Sequence, residues 1–191
     1  MSPKLAGPLI KLVAPNVLEV TVTYLEMRSR PSLPAPPAPT IAYRIERLKS
    51  VSVPFYRFLY NTVGAPWLWH ERRRINDAAL AAILADRHVW LHVIYADGEP
   101  AGYAEMDARQ SQDVQLAYFG IVPKYIGRRL GPTLLRAAVD DAWSGNSPRF
   151  WVHTCSLDHP KALSCYQQAG FVIYDKVVRR IRDPRPLPLN L

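Results

Sequence analysis

Two cysteines, Cys155 and Cys165, are all that the 191 residues contain. That is too few for a disulfide framework or a four-thiolate zinc site, and a reducing cytoplasm is the simplest home for such a chain. Long hydrophobic runs are missing too. The apolar stretch LAGPLIKLVAPNVL is cut by Lys11, Pro8 and Pro15, which falls short of the roughly 18 uninterrupted apolar residues of a membrane span and argues against a signal peptide. Acidic residues are scarce, 16 against 24 lysines and arginines, for a formal net charge of +8. Such an excess favours anionic partners: nucleic acid, an anionic membrane surface or a phosphorylated cofactor. Yet two familiar phosphate loops are absent, the Gly-Lys-Ser/Thr ending of a P-loop and the Gly-x-Gly-x-x-Gly dinucleotide fingerprint. No internal repeat is found either.

What remains is a chain with 49% hydrophobic and 21% charged residues, long enough for one domain with a sizeable core. The basic clusters ERRR (71–74) and RRIRDPR (179–185) read as a solvated face and a tail. After a leader over residues 1–16, VLEVTVTYLEM (17–27) alternates β-branched and polar residues and predicts a strand. It runs into RSRPSLPAPPAPT, whose five prolines, Pro31, Pro34, Pro36, Pro37 and Pro39, predict a loop over 30–40. Helices are expected in SVPFYRFLYNTVG and, with Asn76 or Asp77 near the N-cap, in INDAALAAILAD. HVWLHVIYADGEPAGYAEMDA predicts a hairpin turning at Asp97-Gly98. A strand DVQLAYFGIV, a helix from about residue 130, a strand RFWVHTCSL, a short helix with Asp158 as N-cap and Gly170 after its end, and a strand FVIYDKVV complete the order. Residues 181–191 form a tail. The fold class is mixed α/β, one sheet flanked by helices.

YFGIVPKYIGRRLGPTLL (118–135) passes from strand to helix through Gly127, Arg128, Arg129, Leu130 and Gly131. The first N–H groups of a helix lack intrahelical partners and its dipole leaves that end partly positive, so an anion fits there. The alternative is an ordinary turn whose glycines supply φ > 0 and whose arginines are solvated.

This turn, the element order and ALSCYQQAGF together resemble the GNAT superfamily of acyl-CoA-dependent N-acetyltransferases over residues 17–180, with the specific part between Gln115 and Phe171. The resemblance implies a GNAT-like single domain that uses acetyl-CoA as acyl donor and a small-molecule or peptide amine as acceptor. It also implies a pyrophosphate held by backbone N–H groups in a turn of the form Gln/Arg-x-x-Gly-x-Gly/Ala. Aligned on Gly131, Ile126 stands where Gln or Arg is usual and Arg129 where the first Gly is usual, while Pro132 removes one donor. Ala162 falls where the family packs an alanine near the cofactor, and Tyr166, four residues on, where a tyrosine points at the thioester sulfur. Backbone N–H groups around Ile121 and Val122, freed by a splayed or bulged strand, would polarise the acyl oxygen.

Transfer to an amine needs a group that takes the ammonium proton and one that protonates the thiolate. Tyr166 is the candidate acid, against a role as a core aromatic. Glu105 is the candidate base through water, against a solvent-facing or arginine-paired carboxylate; His153 and His159 are alternatives by pKa. Tyr60, Trp67 and Trp69 are candidates for an acceptor pocket or for core. Two other classes compete: Cys165 with His153 or His159 as nucleophile and base, and a basic nucleic-acid-binding module without catalysis, although no recognised nucleic-acid motif is present. A homodimer is compatible with these features.

Overall fold

The computed structural model describes residues 7–48, 50–110, 113–145 and 147–185. Its sheet has eight strands: β1 (Leu12–Ala14), β2 (Val17–Met27), β3 (Tyr43–Leu48), β4 (Val89–Ala96), β5 (Glu99–Asp107), β6 (Val114–Ile121), β7 (Phe150–Cys155) and β8 (Val172–Arg182). The helices are α1 (Val53–Gly64), α2 (Glu71–Arg74), α3 (Asp77–Ala85), α4 (Leu130–Ala142) and α5 (Ala162–Gln168). Mixed α/β, as expected, the strands run β1-β2-β7-β6-β5-β4-β3, with β8 on the other edge of β2.

Local chemistry explains most of these elements. Ser52 accepts from Phe55 N at the start of α1, with Pro54 in the first turn, and Asn76 accepts from Ala79 N to start α3. Asp97 and Gly98 have φ of 52° and 78°, the left-handed pair that a two-residue hairpin turn requires. Gly170, at φ 101°, follows the C-cap of α5.

Four findings depart from the sequence reading. Leu12–Ala14, within the leader, pair with β2, and β8 runs on to Arg182, into the span read as tail; residues 1–6 and 186–191 lie outside the described residues. Tyr43–Leu48 form an edge strand on β4 in which Arg44, Glu46 and Arg47 break any continuous apolar face in the sequence. Asp158 does not cap α5, which begins at Ala162; its carboxylate instead accepts from Cys155 N and Thr154 Oγ1, both at 2.8 Å. Finally, ERRR is not solvated throughout: Glu71 and Arg74 are exposed, but Arg72 turns inward to Glu105.

β2 and β3, consecutive in the chain, do not sit side by side. β2 lies between β7 and β8, so the proline-rich segment must cross the domain to reach β3. It has no helix or strand, and it is held along the way: Arg30 pairs with Asp140, Arg136 Nη1 donates to Leu33 O at 3.1 Å, and Thr40 N donates to Arg128 O at 3.2 Å. A Cβ at Gly120 would strike Val63 of α1 and one at Gly131 of α4 would touch Ile121. Since successive side chains on a strand point oppositely, α1 and α4 cover opposite faces of the sheet at β6.

Candidate active site

β6 and β7 run parallel but keep register only at Val114↔Phe150 and Gln115↔Trp151 among the described residues. A bulge at Ala117, between the pairs Met106↔Leu116 and Glu105↔Tyr118, adds a residue to β6 and bends it. Beyond it the two strands part, and a cleft of about 1150 Å³ opens between them. Its walls are the free edge of β6, the inner residues of β7, the segment from Trp67 to Glu71, the turn into α4, and α5.

At one end the cleft meets the start of α4. Gly127 and Arg129 have φ of 88° and 63°. Arg129 thus adopts the left-handed conformation that glycine enters freely, at a cost of about 1–2 kcal/mol for a residue with a Cβ. The N–H groups of Leu130 and Gly131 have no intrahelical acceptor, and among the described residues none is found outside the helix. Arg129, Leu130, Gly131 and Gly127 line the cleft, whereas Arg128 turns away to a small separate hollow beside Glu99 and Lys124. A Cβ at Gly131 would meet only Ile121 Cγ1, at 3.6 Å, so the helix start is open to a ligand rather than filled by packing.

The edge of β6 supplies fewer free donors than expected. Val122 N donates to Ala101 O at 2.8 Å, which removes Val122 from the candidates for holding an acyl oxygen. Because N–H groups alternate between the two edges of a strand, those of Ile121 and Phe119 face the parted side.

Tyr166 and Ala162 both line the cleft from α5. The Tyr166 ring lies 5.9 Å from both Phe119 and Phe171. Burial, then the charge of Asp158, pushes its hydroxyl well above the usual phenol pKa, so it stays protonated. Burial likewise pushes Cys165 up to about 11 and Cys155 up to about 12, which leaves neither as thiolate at neutral pH and removes the nucleophile reading.

Glu105 does not reach the cleft. It is fully buried: its Oε1 accepts from Arg72 Nη2 at 2.5 Å and its Oε2 from the Tyr56 hydroxyl. Burial raises its pKa while Arg72 and Tyr56 pull it back. A base must lie within hydrogen-bond reach of the proton, directly or through one water, and both oxygens are committed elsewhere. The expectation for Glu105 as base is corrected accordingly. What it does hold is α2: Arg72 Nε donates to Tyr56 OH and Arg72 N to Tyr60 OH, which in turn donates to Glu71 at 3.2 Å. Glu71, His70 and His153 face the cleft, and neither Glu71 nor His70 figured among the expected residues, because Glu71 sits in a cluster that reads as solvated charge. His153 is exposed on the cleft wall; partial desolvation lowers its pKa, against which Asp158 and Glu71 pull.

Trp67 and Trp69 line the cleft; Tyr60 is buried behind them. Trp69 lies against Gly64, where a Cβ would come within 2.3 Å of its Cε3, and its Nε1 donates to Asp158 across the cleft at 3.2 Å. Gly64→Ala is therefore expected to cost about 1–3 kcal/mol by overpacking. Calorimetric melting checks this, and an unchanged midpoint would mean that Trp69 is not wedged there.

The acetyltransferase (GNAT) family profile matches residues 49–171. The chain belongs to that family. Its fold resembles the GCN5-related N-acetyltransferase of Sphaerobacter thermophilus (14% identity, TM-score 0.60), covering 86% of this chain and 52% of that one. It also resembles the GCN5-related N-acetyltransferase of Kribbella flavida (15%, 0.58; 91% and 59%) and the ribosomal-protein-S18-alanine N-acetyltransferase of Escherichia coli (15%, 0.52; 68% and 77%). The chain thus spans little more than half of the first two proteins. No curated protein matches the sequence. Among the described residues, no helix is long and apolar enough to cross a membrane.

Proposed function

We propose that the protein moves an acetyl group from acetyl-CoA directly to an amine bound in the same cleft, with no acyl-enzyme. The observation that carries this reading is the parting of β6 from β7 onto the open N-terminus of α4. The donor supplies a thioester whose acyl carbon accepts the amine while the C–S bond breaks. N–H groups of Gly127, Arg129, Leu130 and Gly131, with the Arg129 guanidinium, hold its pyrophosphate. The parted edge of β6 holds the pantetheine amides, Ile121 N–H polarises the acyl oxygen, and Ala162 packs against the chain.

The ammonium gives up two protons as the C–N bond forms. His153, kept neutral near pH 7 by its surroundings, takes one and passes it to water; the other ends on the thiol by way of Tyr166. Glu105 acts as a positioning residue, holding Arg72 and through it the α2 segment. In this reading kcat rises with pH through a midpoint below the ordinary imidazole value of about 6.5, since a lowered pKa leaves the base free until more acid pH. Thiol release from acetyl-CoA with the best acceptor of an amine panel, followed from pH 5 to 9, tests it. His153→Gln is expected to abolish the acid limb, and a limb that survives unchanged would remove His153 as base.

A further inference from the structure

Two charges of opposite sign, Glu71 and Arg179, line the same cleft. Glu71, in α2, accepts only from the Tyr60 hydroxyl, and Arg179, on β8, donates to the Tyr24 hydroxyl at 2.7 Å with its guanidinium 5.9 Å from the ring centroid. Among the described residues neither forms an ion pair, whereas the half-buried arginines Arg72 and Arg149 pair with Glu105 and Glu26. His153 lines the cleft with them, its ring 5.8 Å from Tyr24, and it feels both charges, Glu71 favouring the imidazolium and Arg179 opposing it. The surrounding wall is aromatic, with Trp67, Trp69, Tyr118 and Trp151.

Both groups are exposed in the open cleft, and an uncharged acceptor that covered them would take away their water without supplying a partner, which is costly. A polyamine would meet repulsion from Arg179 and from the chain's excess of +8. A molecule carrying an ammonium and a carboxylate close together satisfies both. We propose that this region takes a zwitterionic acceptor, an α-amino acid with an apolar side chain, its ammonium against Glu71 and its carboxylate against Arg179. This rests on the acetyl-transfer reading above and names the acceptor of that same cleft. The α-nitrogen is then held beside His153, the group that takes its proton, while the side chain lies on the indole and phenol faces.

Calorimetric binding of L-phenylalanine, 2-phenylethylamine and 3-phenylpropionate, with and without coenzyme A, separates the contributions, because the last two lack the carboxylate and the ammonium respectively. Phenylalanine is expected to bind at least about tenfold tighter than either, the scale of one charged hydrogen bond. Arg179→Gln should bring phenylalanine down to the level of 2-phenylethylamine, Arg179→Lys should restore much of the preference, and Glu71→Gln should level phenylalanine with 3-phenylpropionate. Coenzyme A affinity should be the same in all variants. If the wild type binds the amino acid no better than 2-phenylethylamine, or binds none of the three, or if the preference survives Arg179→Gln, the proposal is wrong. Failure of coenzyme A itself to bind the wild type is a separate result that sinks the acetyl-transfer reading and not the charge pairing.

Discussion

Gly131→Val is expected to lower coenzyme A affinity by about a hundredfold or more, the scale of losing two or more charge-assisted hydrogen bonds, while the protein still folds. The fold tolerates the change because a Cβ at this position meets only Ile121 Cγ1, at the ordinary contact distance of 3.6 Å. Valine's two further carbons must then enter the space between the end of β6 and the start of α4, where a pyrophosphate would approach the N–H groups of Leu130 and Gly131. Arg129→Ala is the informative contrast. It removes a side-chain charge but leaves the backbone donors, so the loss should be about 1–2 kcal/mol. Titrations with coenzyme A and dephospho-coenzyme A, which share the pyrophosphate, should show the same Gly131→Val loss for both. Wild-type affinity in that variant would mean that the turn is only a turn.

The second large effect is expected at Tyr166. Tyr166→Phe keeps the ring contacts with Phe119 and Phe171 and removes only the hydroxyl, so coenzyme A should bind as before. With its proton donor gone, kcat should fall by roughly 10- to 1000-fold, within and around the usual range for proton-transfer catalysis. The hydroxyl suits this role because burial holds its proton on, and a thiolate leaving at neutral pH is basic enough to take it. Equal kcat in mutant and wild type would return Tyr166 to a packing role.

The strands that carry the site were legible because their patterns are local. The turn at Asp97-Gly98, the cap at Asn76 and the helix from about residue 130 each depend on a few neighbouring residues. β3 was not legible, since an edge strand such as YRIERL needs no continuous apolar face. The place of β2 between β7 and β8 was equally hidden, because strand order depends on contacts more than 100 residues apart. At the site, the motif residues Gly127, Leu130, Gly131, Ala162 and Tyr166 all reach the cleft. Arg128 and Val122 do not offer what was expected of them, and each exception has a nearby cause: an outward turn for one, Ala101 O for the other. Glu105 misled most. No sequence pattern announces that the Tyr56 hydroxyl of α1 and Arg72, from a run of like charges, come inward to meet it.

Acetyl transfer in this cleft requires that it take the acyl donor. Isothermal titration of the wild-type protein with coenzyme A, repeated at two temperatures, measures this directly. The expected result is saturable binding at one site per chain with a negative heat-capacity change, as apolar walls lose water to the pantetheine arm. No heat of binding at either temperature, with a folded protein, would contradict it.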